Sequence, residues 1–509
     1  MSITRRGEVG PAPLHAEAAH PARLSRLGVV DVGSNSVRLV VFDGMARSPA
    51  YFYNEKVLCG LGRGLSETGR LNPEGRVRAM AALRRFAALA RRMRLSGLIA
   101  VATAAVRDAA DGPAFCDEVE RETGLQLQVA SGSEEARLSA KGVLLGWPAA
   151  DGLACDMGGA SMELAELRQG EIGQCATAAL GPLQLADVAD GAKREKVVRR
   201  RVKALRRAVD GAAPRLFLVG GSWRAIARLD MERVDYPLKV LHAYEPPVGQ
   251  LLETCRWIQA RDQSAVAAMV GTAVQRGPLL PLASEVLAEL LRRIAPERVT
   301  ISAYGLREGL LYRQMPEAMR GLDPLIDTCR HMEAVAARCP GFGDALYDWL
   351  QPLYAGRPSA ELRLIRAACL LHDVNWRAHP DHRAELCFES VIRANFAGVD
   401  HPERLFLGLA LLNRYKASAP VDEVRRYGSL LAPERVAEAA VLGRAIRLGA
   451  MLSGTATGVL ENATLVQADG RLVLTLAGEA CGFAGEAVER RLQTLAARLG
   501  CSGEVVLRP

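Results

Sequence analysis

The chain has 509 residues, 49% hydrophobic and 24% charged, with a net charge of +8. That length predicts several domains, and so ordinary a composition argues against a disordered or fibrous protein. No apolar run reaches the roughly 18 residues a membrane-spanning helix needs, so no membrane partner is expected. Eleven cysteines lie scattered with no CxxC pair, which predicts reduced thiols in a cytoplasm rather than a disulfide framework or a zinc site. Arg5 and Arg6 are followed by no apolar core. Residues 1–25 therefore read as a disordered lead-in and not as a secretory signal.

The first patterned stretch, 29–44, reads VVDVGSNSVRLVVFDG. An apolar run ends in Asp31, bends through small residues and returns to an apolar run, which predicts a hairpin over 29–42. A strand pair is expected around 51–58, a helix over 73–94, a strand over 98–102, a helix near 111–123 and a strand over 124–131. SGSEEARLSAKGV then has the form of a helix start, with Ser131 or Ser133 as cap. The scheme repeats from 153, where LACDMGGASMELAEL predicts a second hairpin to 167. A strand at 171–176, a basic helix at 193–209, a strand at 215–219 entering GGSWRAIARL, and a strand at 298–302 complete this half. Two similar halves, each opened by Asp and a glycine turn, predict duplicated α/β lobes, 26–138 and 139–312, with a cleft between them. Residues 313–450 show helical periodicity, and 451–509 read as a small α+β domain.

Backbone amides at a tight turn hold phosphate oxygens, and only small residues allow the close approach. Gly33, Ser34, Asn35 and Ser36 are candidates in the first hairpin, and Gly158, Gly159 and Ser161 in the second. A third turn, Gly220, Gly221 and Ser222, follows another strand. Asp31 and Asp156 each end an apolar strand, where a buried charge needs a cation or a donor. With Glu163 on the return strand, they are candidate ligands for Mg²⁺ or another divalent cation. Glu134 and Glu135 both sit in the first turn of a helix, where the dipole favours acids. One of them is a candidate general base for water attack on phosphorus, and spacing does not choose between them. Thr103 and Arg107 follow the strand at 98–102. Arg107 suits a phosphate clamp, and equally an ion pair with Asp108 or Asp111.

Residues 193–207 carry nine basic side chains and one acidic. This is either a solvated face beside an apolar stripe (Val197, Val198, Val202, Leu205) or a funnel for a polyanion. Aromatics make up 5% and none interleaves this run, which argues against nucleic-acid stacking and against DNA as a partner.

Taken together, DVGSNSVRL, ATAAVRDA, SGSEEARLSAKGV, DMGGASMEL, GGSWRAIA and YGLREGLL resemble the exopolyphosphatase/guanosine pentaphosphate phosphohydrolase family, in order over residues 29–312. The resemblance implies two actin-like (ribonuclease H-like) lobes, and the longer members of that family add an all-α HD-like domain. It implies Glu135 as base, with Asp156, Gly158 and Glu163 in a phosphate–metal site and Asp31, Ser34, Asn35 and Arg107 in the opposite wall. The activity implied is release of terminal orthophosphate from inorganic polyphosphate, with the guanosine pentaphosphate pppGpp as alternative substrate and a non-catalytic sensor as the alternative role. A homodimer is implied as well. Ala160 and Met162 depart from the family's usual glycine and threonine, and Trp223 is expected to alter the width of the cleft. His372-Asp373, with His331, His379 and His382, resembles the core of an HD metal site. No final aspartate completes the set, so a packing role is expected.

Overall fold

The computed structural model describes residues 26–261, 266, 269, 279–416, 425–456 and 458–509. The expected lead-in, 1–25, lies outside the described residues. Two compact units divide the chain, Met1–Gly321 and Leu322–Pro509.

In the first unit, β1 (Leu27–Val32) and β2 (Ser36–Phe42) form the predicted hairpin. β3 (Tyr51–Leu58) pairs antiparallel with β2, while β4 (Gly97–Ala102) and β5 (Leu127–Val129) extend the sheet in parallel beyond β1. The strand pair expected around 51–58 is thus one strand, because its hydrogen-bonding partner is β2 rather than its own continuation. The second half repeats this plan. β6 (Gly152–Met157) and β7 (Met162–Arg168) form the hairpin and β8 (Glu171–Ala178) joins β7. β9 (Arg215–Gly220) and β10 (Arg298–Ser302) add in parallel beyond β6. The orders β3-β2-β1-β4-β5 and β8-β7-β6-β9-β10 are therefore the same topology twice.

The central strands are apolar on both faces because both faces are covered. Val29, Val30 and Val32 of β1 are fully buried. Leu83 and Phe86 of helix Pro73–Arg92, with Phe115 and Val119 of helix Gly112–Thr123, pack in the same core as Val30 and Val32. In the second half, Val198, Val202 and Leu205 of helix Gly191–Ala208 pack in one core with Leu216 and Leu218. Helix Gly132–Gly146 lies against the second sheet through Ala136, Ala140 and Val143, in one core with Ala154, Ala165 and Phe217. The expected lobe boundary at 138/139 falls inside this helix, and the boundary at 312/313 falls inside helix Leu306–Gln314. These two helices cross at glycines. A Cβ on Gly142 would stand 2.3 Å from Gly305 O, and one on Gly309 only 1.7 Å from Leu138 O.

The second unit holds helices Pro324–Ala336, Phe342–Leu350, Ser359–Leu371, Arg383–Arg393, His401–Tyr415 and Pro433–Ser453. A sheet of β11 (Ala463–Ala468), β12 (Arg471–Ala477) and β13 (Ser502–Arg508) follows, with helix Glu486–Arg498 between the last two strands. Among the described residues, no helix is long and apolar enough to cross a membrane. All eleven cysteines are free thiols.

Candidate active site

The two hairpin tips close in the same way. Gly33 N–H donates to Ser36 O at 3.0 Å, and Gly158 N–H donates to Ser161 O at 3.0 Å. Both glycines line one cleft, with Ser34, Asn35, Ser36, Gly159, Ala160 and Ser161. The amides of Gly33 and Gly158 are engaged in the turns, so these two contribute shape. The amides left for an anion belong to other residues of the tips.

A third wall comes from Gly220, Gly221 and Ser222, where β9 runs into helix Gly221–Arg233. Gly220 has φ +107°, and a Cβ there would lie 2.6 Å from Asp156 Oδ1, so glycine lets the helix start directly beside the carboxylate. The positive end of a 13-residue helix thus opens on the cleft. Trp223, expected to alter the width of the cleft, does not line it. It is 1% exposed and packed in the core of the second sheet, because the first helical turn aims it at the sheet while Ser222 and Arg224 face the cleft. Met162 is fully buried in the same core. Ala160 lines the cleft and is not among the residues with positive φ.

The helix that begins at Gly132 separates the two glutamates. Ser131 is its cap: its Oγ accepts Glu134 N–H at 3.3 Å, while the Glu134 carboxylate accepts Ser131 N–H at 2.8 Å. This capping box occupies Glu134. Glu135, one residue on, is buried and lines the cleft. Arg107 Nη1 hydrogen-bonds Glu135 Oε1 and also Ala130 O at 3.1 Å, while its Nε reaches Asp108 Oδ1 at 2.9 Å. Of the two readings of Arg107, the structure shows the ion pair with Asp108, and it places the guanidinium against Glu135 rather than on the lining of the cleft.

Burial pushes the Glu135 carboxyl up to about 7, against the pull of Arg107 and with help from the charges of Asp156 and Asp31. Glu163 is raised well above the usual carboxylate range by burial and by the charges of Glu135 and Asp156, and accepts Thr177 Oγ1–H at 2.9 Å. Burial likewise raises Asp156, opposed by a hydrogen bond from Ser139 and by Arg224 and Arg307. Asp31 differs from its counterpart Asp156, since its Oδ2 lies 3.1 Å from Arg307 Nη1. Thr103 lines the cleft at the end of β4.

Four cations of the cleft were not singled out from the sequence: Arg38, Lys56, Arg224 and Arg307. Burial, then Arg307 and Arg224, bring Arg38 down to about 10, which marks a concentration of positive charge. Three of them follow glycine or serine turns at short offsets (Arg38 after Ser36, Arg224 after Gly221, Arg307 after Gly305), a signal the motifs contained.

No three His, Cys, Asp or Glu side chains among the described residues form a cage for a metal. The three candidate carboxylates, Asp31, Asp156 and Glu163, all line the cleft, and their oxygens are of the hard-donor type Mg²⁺ takes, with Asp31 already paired with Arg307. That ion is ordinarily held by one or two carboxylates together with substrate phosphates.

In the second unit, Asp373 is buried and bound bidentately by Arg338, with both distances 2.7 Å. His372 is buried with Nδ1 2.8 Å from Cys369 O, and burial lowers its pKa to about 4. His379 and His382 are exposed, and His331 is partly exposed. Of the basic residues of 193–207, none lines the cleft; Lys193, Lys196, Arg199, Arg200, Lys203 and Arg207 are exposed, while Arg194, Arg201 and Arg206 are half-buried and bonded to Glu285, Ala179 O and Val209 O. Val198, Val202 and Leu205 anchor the inner face of their helix.

Residues 40–318 match the Ppx/GppA phosphatase family, and residues 325–506 match the C-terminal domain of exopolyphosphatase. The chain is similar to Exopolyphosphatase 2 of Mycobacterium tuberculosis, 27% identical over 312 residues, covering 56% of this chain and 98% of that protein. It is similar along more of its length, 88% against 91%, to guanosine-5'-triphosphate,3'-diphosphate pyrophosphatase of Aeromonas salmonicida, at 23% identity. In fold the chain is similar to an exopolyphosphatase from Cytophaga hutchinsonii, with TM-score 0.53 and 23% identity, covering 58% of this chain and 99% of that one.

Proposed function

This chain belongs to the Ppx/GppA phosphatase family, and from that premise we propose that it is an exopolyphosphatase, releasing terminal orthophosphate from inorganic polyphosphate. The observation that supports this most is the setting of Glu135. A buried carboxylate with a pKa of about 7 lines a cleft between two matched hairpin tips. A general base works best when its pKa lies near the operating pH.

In this reading the tips and the N-terminus of helix Gly221–Arg233 bind the terminal phosphoryl group. Arg38, Arg224 and Arg307 meet the charge of the chain behind it. Glu135 orients water in line with the scissile anhydride and takes its proton, while Arg107 holds the carboxylate in place. Charge spreads over the equatorial oxygens in such a transfer, so positioned donors supply most of the stabilisation. Asp31, Asp156 and Glu163 would hold Mg²⁺, whose chemistry is to neutralise phosphate oxygens. The protein is read as cytoplasmic and homodimeric, with the free thiols in keeping with a reducing compartment. Residues 313–450 are read as an HD-like scaffold whose His372-Asp373 pair serves packing through Arg338.

A second reading, hydrolysis of the 5′-phosphate of a guanosine pentaphosphate, draws support from the similarity to the Aeromonas protein, which extends through both units. Phosphate release from long polyphosphate and from the pentaphosphate, measured side by side on the full chain, decides between them. The proposal expects the higher kcat/KM on polyphosphate, and a preference for the nucleotide overturns it. Glu135→Gln should lower kcat by about 10³-fold on the preferred substrate.

A further inference from the structure

Helix Gly132–Gly146 carries a polar residue where helix packing alone would not place one. Ser139 is 2% exposed, and apart from Glu135 the buried residues within a turn of it on the same helix, Ala136, Leu138, Ala140, Gly142 and Val143, carry no polar side chain. A buried hydroxyl is costly unless it is bonded, and serine inside a helix ordinarily satisfies itself on the carbonyl one turn back. Ser139 instead donates outward, to Asp156 Oδ2 at the end of β6.

Two further relationships give that bond a purpose. Ser139 lies four residues after Glu135, so the two share one face of the helix. The candidate base and the donor to the second aspartate are thus one rigid piece. The duplicated topology also supplies an internal control. Asp31 and Asp156 end matching strands of matching hairpins, yet Asp31 pairs directly with the Arg307 guanidinium, whereas Asp156 takes its hydrogen bond from a neutral hydroxyl and Arg224 and Arg307 act on it electrostatically. A guanidinium offsets a carboxylate's charge, whereas a hydroxyl fixes its orientation and leaves the charge in place. On its other side, Asp156 Oδ1 lies against Gly220, where even a methyl group would stand at 2.6 Å. The carboxylate is held between a donor and a wall.

We propose that Ser139 is a positioning residue for hydrolysis: its hydroxyl locks the Asp156 carboxylate and ties it to the helix that carries Glu135. This rests on the phosphatase reading of the cleft. Reacting groups displaced by an ångström lose large factors in rate while substrate binding is little changed.

The test is a threonine–valine comparison in the full chain. Ser139→Thr retains the hydroxyl, and Ser139→Val has nearly the shape of threonine without it. Phosphate release from polyphosphate should give Ser139→Thr a kcat within about threefold of wild type. Ser139→Val and Ser139→Ala should lose roughly tenfold or more in kcat, with KM changed less than about twofold. In a Glu135→Gln background, calorimetric affinity for polyphosphate should be the same with and without the added Ser139→Val change. Equal kcat for the threonine and valine variants, at whatever level, overturns the proposal, as does a loss confined to KM or to polyphosphate affinity. A wild-type chain that hydrolyses only the pentaphosphate nucleotide overturns the substrate reading instead, and the same comparison is then made on the nucleotide.

Discussion

Arg307 Nη1 stands 3.1 Å from Asp31 Oδ2, joining two residues 276 positions apart. Arg307 belongs to helix Leu306–Gln314 and Asp31 to β1 of the first sheet, so the contact ties the two halves of the first unit at the cleft. Burial works against the guanidinium, but Glu308 and Asp31 raise its pKa overall and keep it charged.

Arg307→Ala should therefore lower kcat/KM for polyphosphate by about 10²-fold, and Arg307→Lys should recover little of it. A lysine offers a point charge where a planar fork of donors is used. Steady-state phosphate release on the two variants checks this.

Only ionised Glu135 can accept a proton from water, so kcat/KM should rise as pH climbs through about 7 and level off above it. Arg107 favours the ionised form, so Arg107→Gln should move that limb to higher pH as well as lowering the plateau. A pH–rate profile of both proteins is the measurement.

The same carboxyl links activity to stability. Its folded pKa of about 7 lies above the ordinary 4.5, so its protonated form stabilises the fold fully below about 4.5. That contribution is lost as pH rises through about 7. Glu135→Gln stays neutral, and the metal-free variant should melt above metal-free wild type at about pH 8, with no gain at about pH 4. Calorimetric melting at the two pH values tests the sign.

Gly309→Ala would place a methyl group 1.7 Å from Leu138 O, on backbone that cannot turn aside. It should cost about 3 kcal/mol of stability, the upper range for overpacking, where alanine for glycine in an open helix would help. Urea unfolding of the variant decides, and an unchanged midpoint would refute the close crossing.

Asp373→Ala removes the carboxylate that Arg338 grips, and the guanidinium side of that pair is 41% exposed while Asp373 is 2% exposed. Water can reach the arginine left behind, so the loss should be about 2 kcal/mol, below the figure for a pair buried on both sides. Its kcat on a short polyphosphate should match wild type, since the described residues that line the cleft belong to the first unit. Denaturation and steady-state rates on one preparation check both halves.

Local pattern revealed the two Asp-headed hairpins, the third glycine turn and the basic helix, since apolar runs, glycine and charge spacing act within a few residues of themselves. The repeat was legible for the same reason: each half carries its own copy of the signal. Even the choice between Glu134 and Glu135 was nearly local, because the Ser131–Glu134 capping box assigns one glutamate to the helix end and leaves the other to the cleft. Packing between the halves settled the rest. Which aspartate meets Arg307 and which meets Ser139, why Trp223 turns into the core, and how Arg38, Arg224 and Arg307 converge all depend on elements that meet across long stretches of chain. A sequence states which face each element buries, but the partner on that face exists only once sheets and helices have closed around a common core.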